Sequence, residues 1–148
     1  MIYIGSDHGG FEFKQQINRL LETHKIAYKD MGPFKYVATD DYPDYAKKVA
    51  IKVSANPLKD VGILLCRSGQ GVCIVANKFK HVRAALVWNK KQATASRVDD
   101  MSNILCLPAD YIDKKGLEKI VMTWLQTPYS TESRHVRRIK KISKIESD

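Results

Sequence analysis

From Val61 to Lys78 the chain reads VGILLCRSGQGVCIVANK, and no other stretch narrows the choice of fold as much. The unbroken apolar run Val61–Leu65 is the pattern of a buried strand. It ends in Cys66. Arg67-Ser68-Gly69-Gln70-Gly71 follows as a glycine-rich turn, and apolar residues then resume at a spacing that a helix can use. Such a turn aims several backbone N–H groups at one point, and the start of a helix adds positive potential. Cys66 would sit in that field with Arg67 beside it, and both influences favour thiolate over thiol. The blander reading is that the glycines are punctuation and Cys66 a small core hydrophobe. The stretch alone slightly favours the blander reading.

The rest of the chain alternates strand and helix. Met1–Gly5 reads as a strand, Ser6–Gly10 as a turn, and Phe11–His24 as a helix with Phe13, Ile17, Leu20 and Leu21 on one face. Ile26–Met31 is a second strand. After a polar loop, Tyr45–Ser54 is helical, and Tyr42, before Pro43, is expected to be extended. It could wall a pocket. The glycine turn leads into a short helix through Lys78, then a strand over Ala84–Trp88, a helix over Lys90–Asp99, a strand over Ile104–Leu107 and a helix over Asp113–Leu125. In Ser130–Ile145, isoleucines at 139, 142 and 145 give a basic helix a narrow apolar stripe, a face suited to docking on a partner subunit. The pattern predicts one α/β domain over residues 1–148, a three-layer sandwich around a five-stranded parallel sheet. Turns at the carboxyl edge of such a sheet bind ligands, which puts Asp7 and His8 at a favoured position. Taken singly, Asp7 reads better as a helix N-cap or turn residue and His8 as a satisfied turn histidine.

Composition excludes several classes. No stretch approaches the ~18 apolar residues of a membrane helix, and Met1 leads straight into Ile2-Tyr3-Ile4 without a signal-peptide pattern, so a cytoplasmic location is expected. The three cysteines have no CxxC spacing, and the four histidines are scattered, so neither a disulfide framework nor a metal site is expected. The net charge is +9, and Val61–Val98 contains no Asp or Glu while carrying Arg67, Lys78, Lys80, Arg83, Lys90, Lys91 and Arg97. The tail adds Arg134, Arg137, Arg138, Lys140, Lys141 and Lys144. That field attracts anions. Nucleic acid is ranked last among them, because the chain has no recognition motif and no aromatic ladder beside its lysines.

Five segments in order, SDHGG, DYP, LLCRSGQG with ANK, SRVDDMSN and SRHVRRI, resemble the type B ribose-5-phosphate isomerase and galactose-6-phosphate isomerase family, from Met1 to about Ile145. The resemblance implies a Rossmann-like fold, no cofactor, and a homodimer, with a tetramer as the alternative, whose sites are built from both subunits. It implies aldose–ketose isomerisation of a sugar phosphate through a cis-enediolate, with ribose 5-phosphate to ribulose 5-phosphate as the leading reaction. By position, Cys66 resembles the base and Ser68 its helper. Gly69, Gln70 and Gly71 resemble the loop that receives the developing oxyanion. Asp7 and His8 match residues contacting sugar hydroxyls or phosphate, and Arg134 and Arg138 match two phosphate-binding arginines. Tyr42, Arg67 and Asp100 are grouped with the substrate-binding residues.

Three positions depart from the family pattern. Asp99-Asp100 stands where His-Asn is usual, so Asp99 takes the place of the ring-opening histidine. Asp110 stands at a phosphate-holding arginine, and Arg67 at a small glycine. These departures leave two alternatives: isomerisation of another pentose or hexose phosphate, and a catalytically silent relative that binds sugar phosphates.

Overall fold

The computed structural model describes residues 1–146. In chain order the elements are β1 (Ile2–Ser6), a single 3-10 turn (His8–Gly10), α1 (Phe11–Thr23), β2 (Tyr28–Asp30), α2 (Tyr42–Ala55), β3 (Val61–Cys66), α3 (Gln70–Ala76), β4 (Ala84–Leu86), α4 (Lys90–Val98), β5 (Ile104–Pro108), a second 3-10 turn (Ala109–Tyr111), α5 (Lys114–Gln126) and α6 (Ser133–Ile145). The five strands form one sheet in the order β2-β1-β3-β5-β4, and every pairing is parallel. This is the expected Rossmann-like α/β architecture.

Successive residues of β3 serve opposite faces, as a pleated strand requires. Ile63 and Leu65 join Ile17 and Leu21 of α1 and Leu117, Ile120, Val121 and Trp124 of α5 in one core. Leu64 and Cys66 join Ala46, Val49, Ala50 and Val53 of α2 and Val72 and Ala76 of α3 in the other. Both faces of the central strands are therefore covered, which explains their unbroken apolar sequence.

The edges of the sheet depart from the sequence reading. β2 and β4 are three residues each, shorter than Ile26–Met31 and Ala84–Trp88. Each is an edge strand with a neighbour on one side only, so only part of the apolar run is held in the ladder. Helix α2 begins at Tyr42, not Tyr45, so Tyr42 is helical rather than extended. Pro43 sits in the first turn, where its missing N–H has no intrahelical partner to lose. Helix α3 stops at Ala76, two residues before Lys78, and Asn77 caps it. Asn77 Nδ2 donates to the Ala84 carbonyl, and the Ala84 N–H donates to Asn77 Oδ1, both at 2.9 Å.

The basic field also divides. Arg97 is buried, with its guanidinium between the Trp124 and Tyr129 rings, 4.6 and 4.1 Å from their centroids. It donates to the Ser102 carbonyl and the Tyr129 hydroxyl at 2.8 and 2.7 Å. Arg97 is thus structural, a cation held by carbonyl and π-face. Helix α6 lies on its own chain through buried His135 and Ile139, while Ile142 and Ile145 are exposed.

Gly10 is where α1 meets the central strand. A Cβ at this position would lie 2.5 Å from Leu65 Cβ and 2.8 Å from the Leu65 carbonyl. We expect Gly10→Ala to destabilise the fold by about 1–3 kcal/mol through overpacking, read as a lowered urea midpoint at unchanged slope. An unchanged midpoint would show that the turn adapts.

Candidate active site

Three turns meet at the carboxyl edge of the sheet, after β1, β3 and β5. Asp7 caps the first: its carboxylate accepts the Gly10 N–H at 3.1 Å, and its own N–H donates to the Leu65 carbonyl at 3.3 Å. Burial pushes the Asp7 carboxyl above its ordinary value, against the opposing pull of the Gly10 N–H. His8 is fixed by a residue that the sequence did not single out. Asp40 Oδ1 accepts the His8 backbone N–H and also pairs with His8 Nδ1, both at 2.8 Å. This hydrogen bond raises the His8 pKa and fixes Nδ1 as the proton-bearing nitrogen facing Asp40. Asp40 is 32 residues away in a polar loop, and nothing local in the sequence marks it.

Cys66 ends β3 and is 5% exposed. Its Sγ accepts the Gly69 N–H at 3.1 Å. Gly69 makes this possible with a left-handed backbone (φ 70°), and a Cβ there would lie 2.6 Å from Leu86 Cδ1. The Gln70 N–H points to Ser68 Oγ at 3.4 Å. Ser68 and Gln70 line a cleft of about 320 Å³ with Leu86, Trp88, Pro108 and Tyr111. Trp88 and Tyr111 are half or more exposed and had not been singled out in the sequence; only their position after β4 and β5 could have flagged them. Tyr42 lies against the start of α3, where a Cβ on Gly71 would come within 2.7 Å of its ring.

Arg67 turns outward. Its Nη1 is 3.6 Å from Asp110 Oδ2, and both side chains are largely solvated. The Asp110 N–H donates to the Arg67 carbonyl at 3.0 Å. The charge of Arg67 is therefore matched by Asp110.

The remaining site residues are elsewhere. Asp99 ends α4, and Asp99 and Asp100 precede β5, at the amino edge of the sheet. Cys66 is at the carboxyl edge, a strand length of about 17 Å away at ~3.3 Å per residue. Arg134 and Arg138 are on α6, which joins the amino edge: His135 Nδ1 lies 3.2 Å from the Asp99 carbonyl and 3.7 Å from Asp99 Oδ1. Arg134 Nε donates to Glu132 at 2.8 Å. One chain thus brings together Asp7, His8, Tyr42, Cys66, Arg67, Ser68, Gly69, Gln70 and Gly71, and holds Asp99, Asp100, Arg134 and Arg138 apart from them. Among the described residues, no group of three or more His, Cys, Asp and Glu side chains is arranged to hold a metal, and no helix is long and apolar enough to cross a membrane.

A parallel sheet with a thiol at its central carboxyl edge, backed by a glycine turn and a largely apolar cleft with a few polar groups, is the arrangement of a small-molecule enzyme. The sequence profile of the ribose/galactose isomerase family matches residues 2–142, and the chain belongs to that family of isomerases. It is similar to ribose-5-phosphate isomerase B from Mycoplasma genitalium, crystallised with bound ribulose 5-phosphate, at 44% identity and a TM-score of 0.96, covering 99% of this chain and 96% of that one. The Clostridium thermocellum ribose-5-phosphate isomerase B structure is 36% identical with a TM-score of 0.93, covering 99% and 97%. Ribose-5-phosphate isomerase B of Mycolicibacterium paratuberculosis is 37% identical over 145 residues, 98% of this chain and 91% of that protein.

The His8–Asp40 pair sets a pH dependence. The folded pKa of His8 is raised, so its contribution is fully present below the unfolded value of ~6.5 and is lost as pH rises through the folded value. An NMR titration of the His8 ring should give a midpoint above 6.5 (a typical value) in the native protein and a lower one in Asp40→Asn. Equal midpoints would remove Asp40 as the cause.

Proposed function

We propose that the protein is a cytoplasmic isomerase that interconverts ribose 5-phosphate and ribulose 5-phosphate through a cis-enediolate, with Cys66 as the base. The reading is carried by one coincidence. The thiol that ends β3 accepts the Gly69 N–H, and the turn that follows it lines a largely apolar cleft through Ser68 and Gln70, in a chain 44% identical to a protein crystallised with ribulose 5-phosphate.

Moving hydrogen between C1 and C2 needs a base that can reach both carbons, and a home for negative charge on the adjoining oxygens. The small exposure of Cys66 leaves the sulfur reachable at its edge and largely excludes water from it. The thiolate takes the proton from C2 of the open-chain aldose and returns it to C1, while Ser68 passes a proton between the neighbouring oxygens. The Gly69–Gly71 turn receives the enediolate oxygen through the backbone N–H groups of Gln70 and Gly71, each contributing roughly 3–4 kcal/mol when aimed at the developing charge, while the Gly69 N–H stays on the Cys66 sulfur. Asp7, His8 and Tyr42 orient the sugar hydroxyls.

The functional unit is a homodimer. A second copy supplies Asp99, Asp100, Arg134 and Arg138, which one chain holds at the opposite edge of its sheet. Arg134 and Arg138, four residues apart on α6, form a fork for phosphate. The exposed Ile142 and Ile145 continue the same helix, and the docking of α6 on the partner follows from that apolar end. Asp99 acts as a base in ring opening, in its ionised form.

Cys66→Ala should lower kcat by about 10²–10⁴-fold, the usual worth of a general base, and abolish exchange of the C2 proton with solvent deuterium. Unchanged turnover would remove Cys66 as the base. A panel of ribose, allose and galactose phosphates assayed for ketose formation separates the substrates. A blank across the panel with phosphosugar binding retained would indicate a silent relative.

A further inference from the structure

The Arg67–Asp110 pair lies at the lips of the cleft. Arg67 adjoins Ser68, and Asp110 stands between Pro108 and Tyr111, so the pair spans the two turns that line it. On its other side Arg67 lies over the first turn: a Cβ on Gly9 would meet Arg67 Cγ at 2.5 Å. The side-chain stem therefore lies against the first turn, and its guanidinium reaches Asp110 on the turn after β5.

The charges around it are unequal. The turn after β1 carries Asp7, the loop after β2 carries Asp40 and Asp41, and the turn after β5 carries Asp110. His8 is engaged with Asp40. Arg67 is the cation of the three turns that meet at the cleft. Its separation from Asp110, 3.6 Å, is longer than the ~2.8 Å of a tight charge-assisted hydrogen bond. With 68% and 49% of the two side chains exposed, the pair is screened by solvent and gains little net free energy.

We propose that this pair is an exchange latch for the substrate's phosphate. Asp110 holds the guanidinium at the rim in the free enzyme and yields it to the phosphate when substrate enters. Asp110 is thereby a competitor built into the site: it sets the affinity for the phosphorylated end without touching the reacting carbons. Arg67 is a specificity-determining residue that meets the phosphate beside the fork of α6. The backbone bond from the Asp110 N–H to the Arg67 carbonyl holds the two residues in register whichever partner the side chain takes. The inference rests on the sugar-phosphate reading above.

The test is a double-mutant cycle in two assays: KM for ribose 5-phosphate, and the calorimetric Kd of inorganic phosphate. Asp110→Asn should lower both constants about two- to fivefold, the worth of an exposed pair, with kcat moved less than KM. Arg67→Gln should raise both by about tenfold or more, as loss of a charged hydrogen bond does, and Arg67→Lys should recover part of that loss. In the Arg67→Gln background the Asp110→Asn gain should shrink below about twofold. Two results overturn the latch: an unchanged or raised phosphate Kd in Asp110→Asn, which makes Asp110 a support for Arg67, or a full gain without Arg67, which makes Asp110 a simple repulsive charge. If the native enzyme turns over no sugar phosphate, the isomerase reading falls, and the phosphate calorimetry still decides the latch.

Discussion

Strand β3 ends at Cys66 because the chain there must turn between two neighbours already in place. On one side the β1 turn is bound down: the Asp7 N–H donates to the Leu65 carbonyl, and Gly10 sits so close to Leu65 that no side chain fits. On the other side Gly69 is pressed against Leu107 and Pro108 of β5. Between them the backbone can leave the sheet only in a left-handed turn, and that turn points the Gly69 N–H at the sulfur. The donor on Cys66 is a consequence of how three parallel strands end side by side. Rigidity follows from the same packing, and a site built on strand ends keeps its geometry better than one built on a free loop.

The position of Cys66 carries a tension. Its side chain belongs to the α2–α3 core, with Leu64, Val72 and Cys106 as companions. A thiol so placed would be inert if it had only apolar neighbours. What separates it from Cys106, one strand over, is the edge. Cys106 is wholly buried, and desolvation raises its pKa well above the ordinary value, whereas Cys66 retains some exposure and the Gly69 N–H. Two cysteines on adjacent strands of one core thus have different surroundings because one of them stands at the end of its strand.

Legibility in the sequence followed the range of the interactions involved. Val61–Leu65 announced its strand because both faces are buried, and the glycine turn announced the end of that strand. The edge strands are shorter than their apolar runs, although single backbone bonds from the Met31 N–H to the Ile4 carbonyl and from the Val87 N–H to the Cys106 carbonyl still extend beyond β2 and β4. Tyr42 was misjudged because the rule for a residue before proline yields at the first turn of a helix. Asp40, Trp88 and Tyr111 were invisible as site residues: their roles come from chain segments far apart in sequence. Arg97 shows the limit of charge counting. It stood in an acid-free run that read as one basic field, yet it is buried between two aromatic rings.

Charge at the carboxyl edge bears on how many chains make a site. The turns and loop that follow β1, β2 and β5 carry Asp7, Asp40, Asp41 and Asp110, and Arg67 is already shared with Asp110. Burial works against the charge of Asp7 and Asp40 supports that of His8, but neither effect creates a home for a dianion. The strongest positive potential of the chain lies instead on α6, at the far edge, where Arg134, Arg137, Arg138, Lys140, Lys141 and Lys144 follow one another with no acid between them. On the proposed reading, a phosphorylated sugar at Cys66 needs more cations than Arg67, the one arginine that the carboxyl-edge turns hold. Two copies arranged so that α6 of each faces the cleft of the other would supply them symmetrically, since a two-fold axis presents the same patch to both partners. Under the proposed dimer, the site's electrostatics as well as the apolar end of α6 would draw on the second copy.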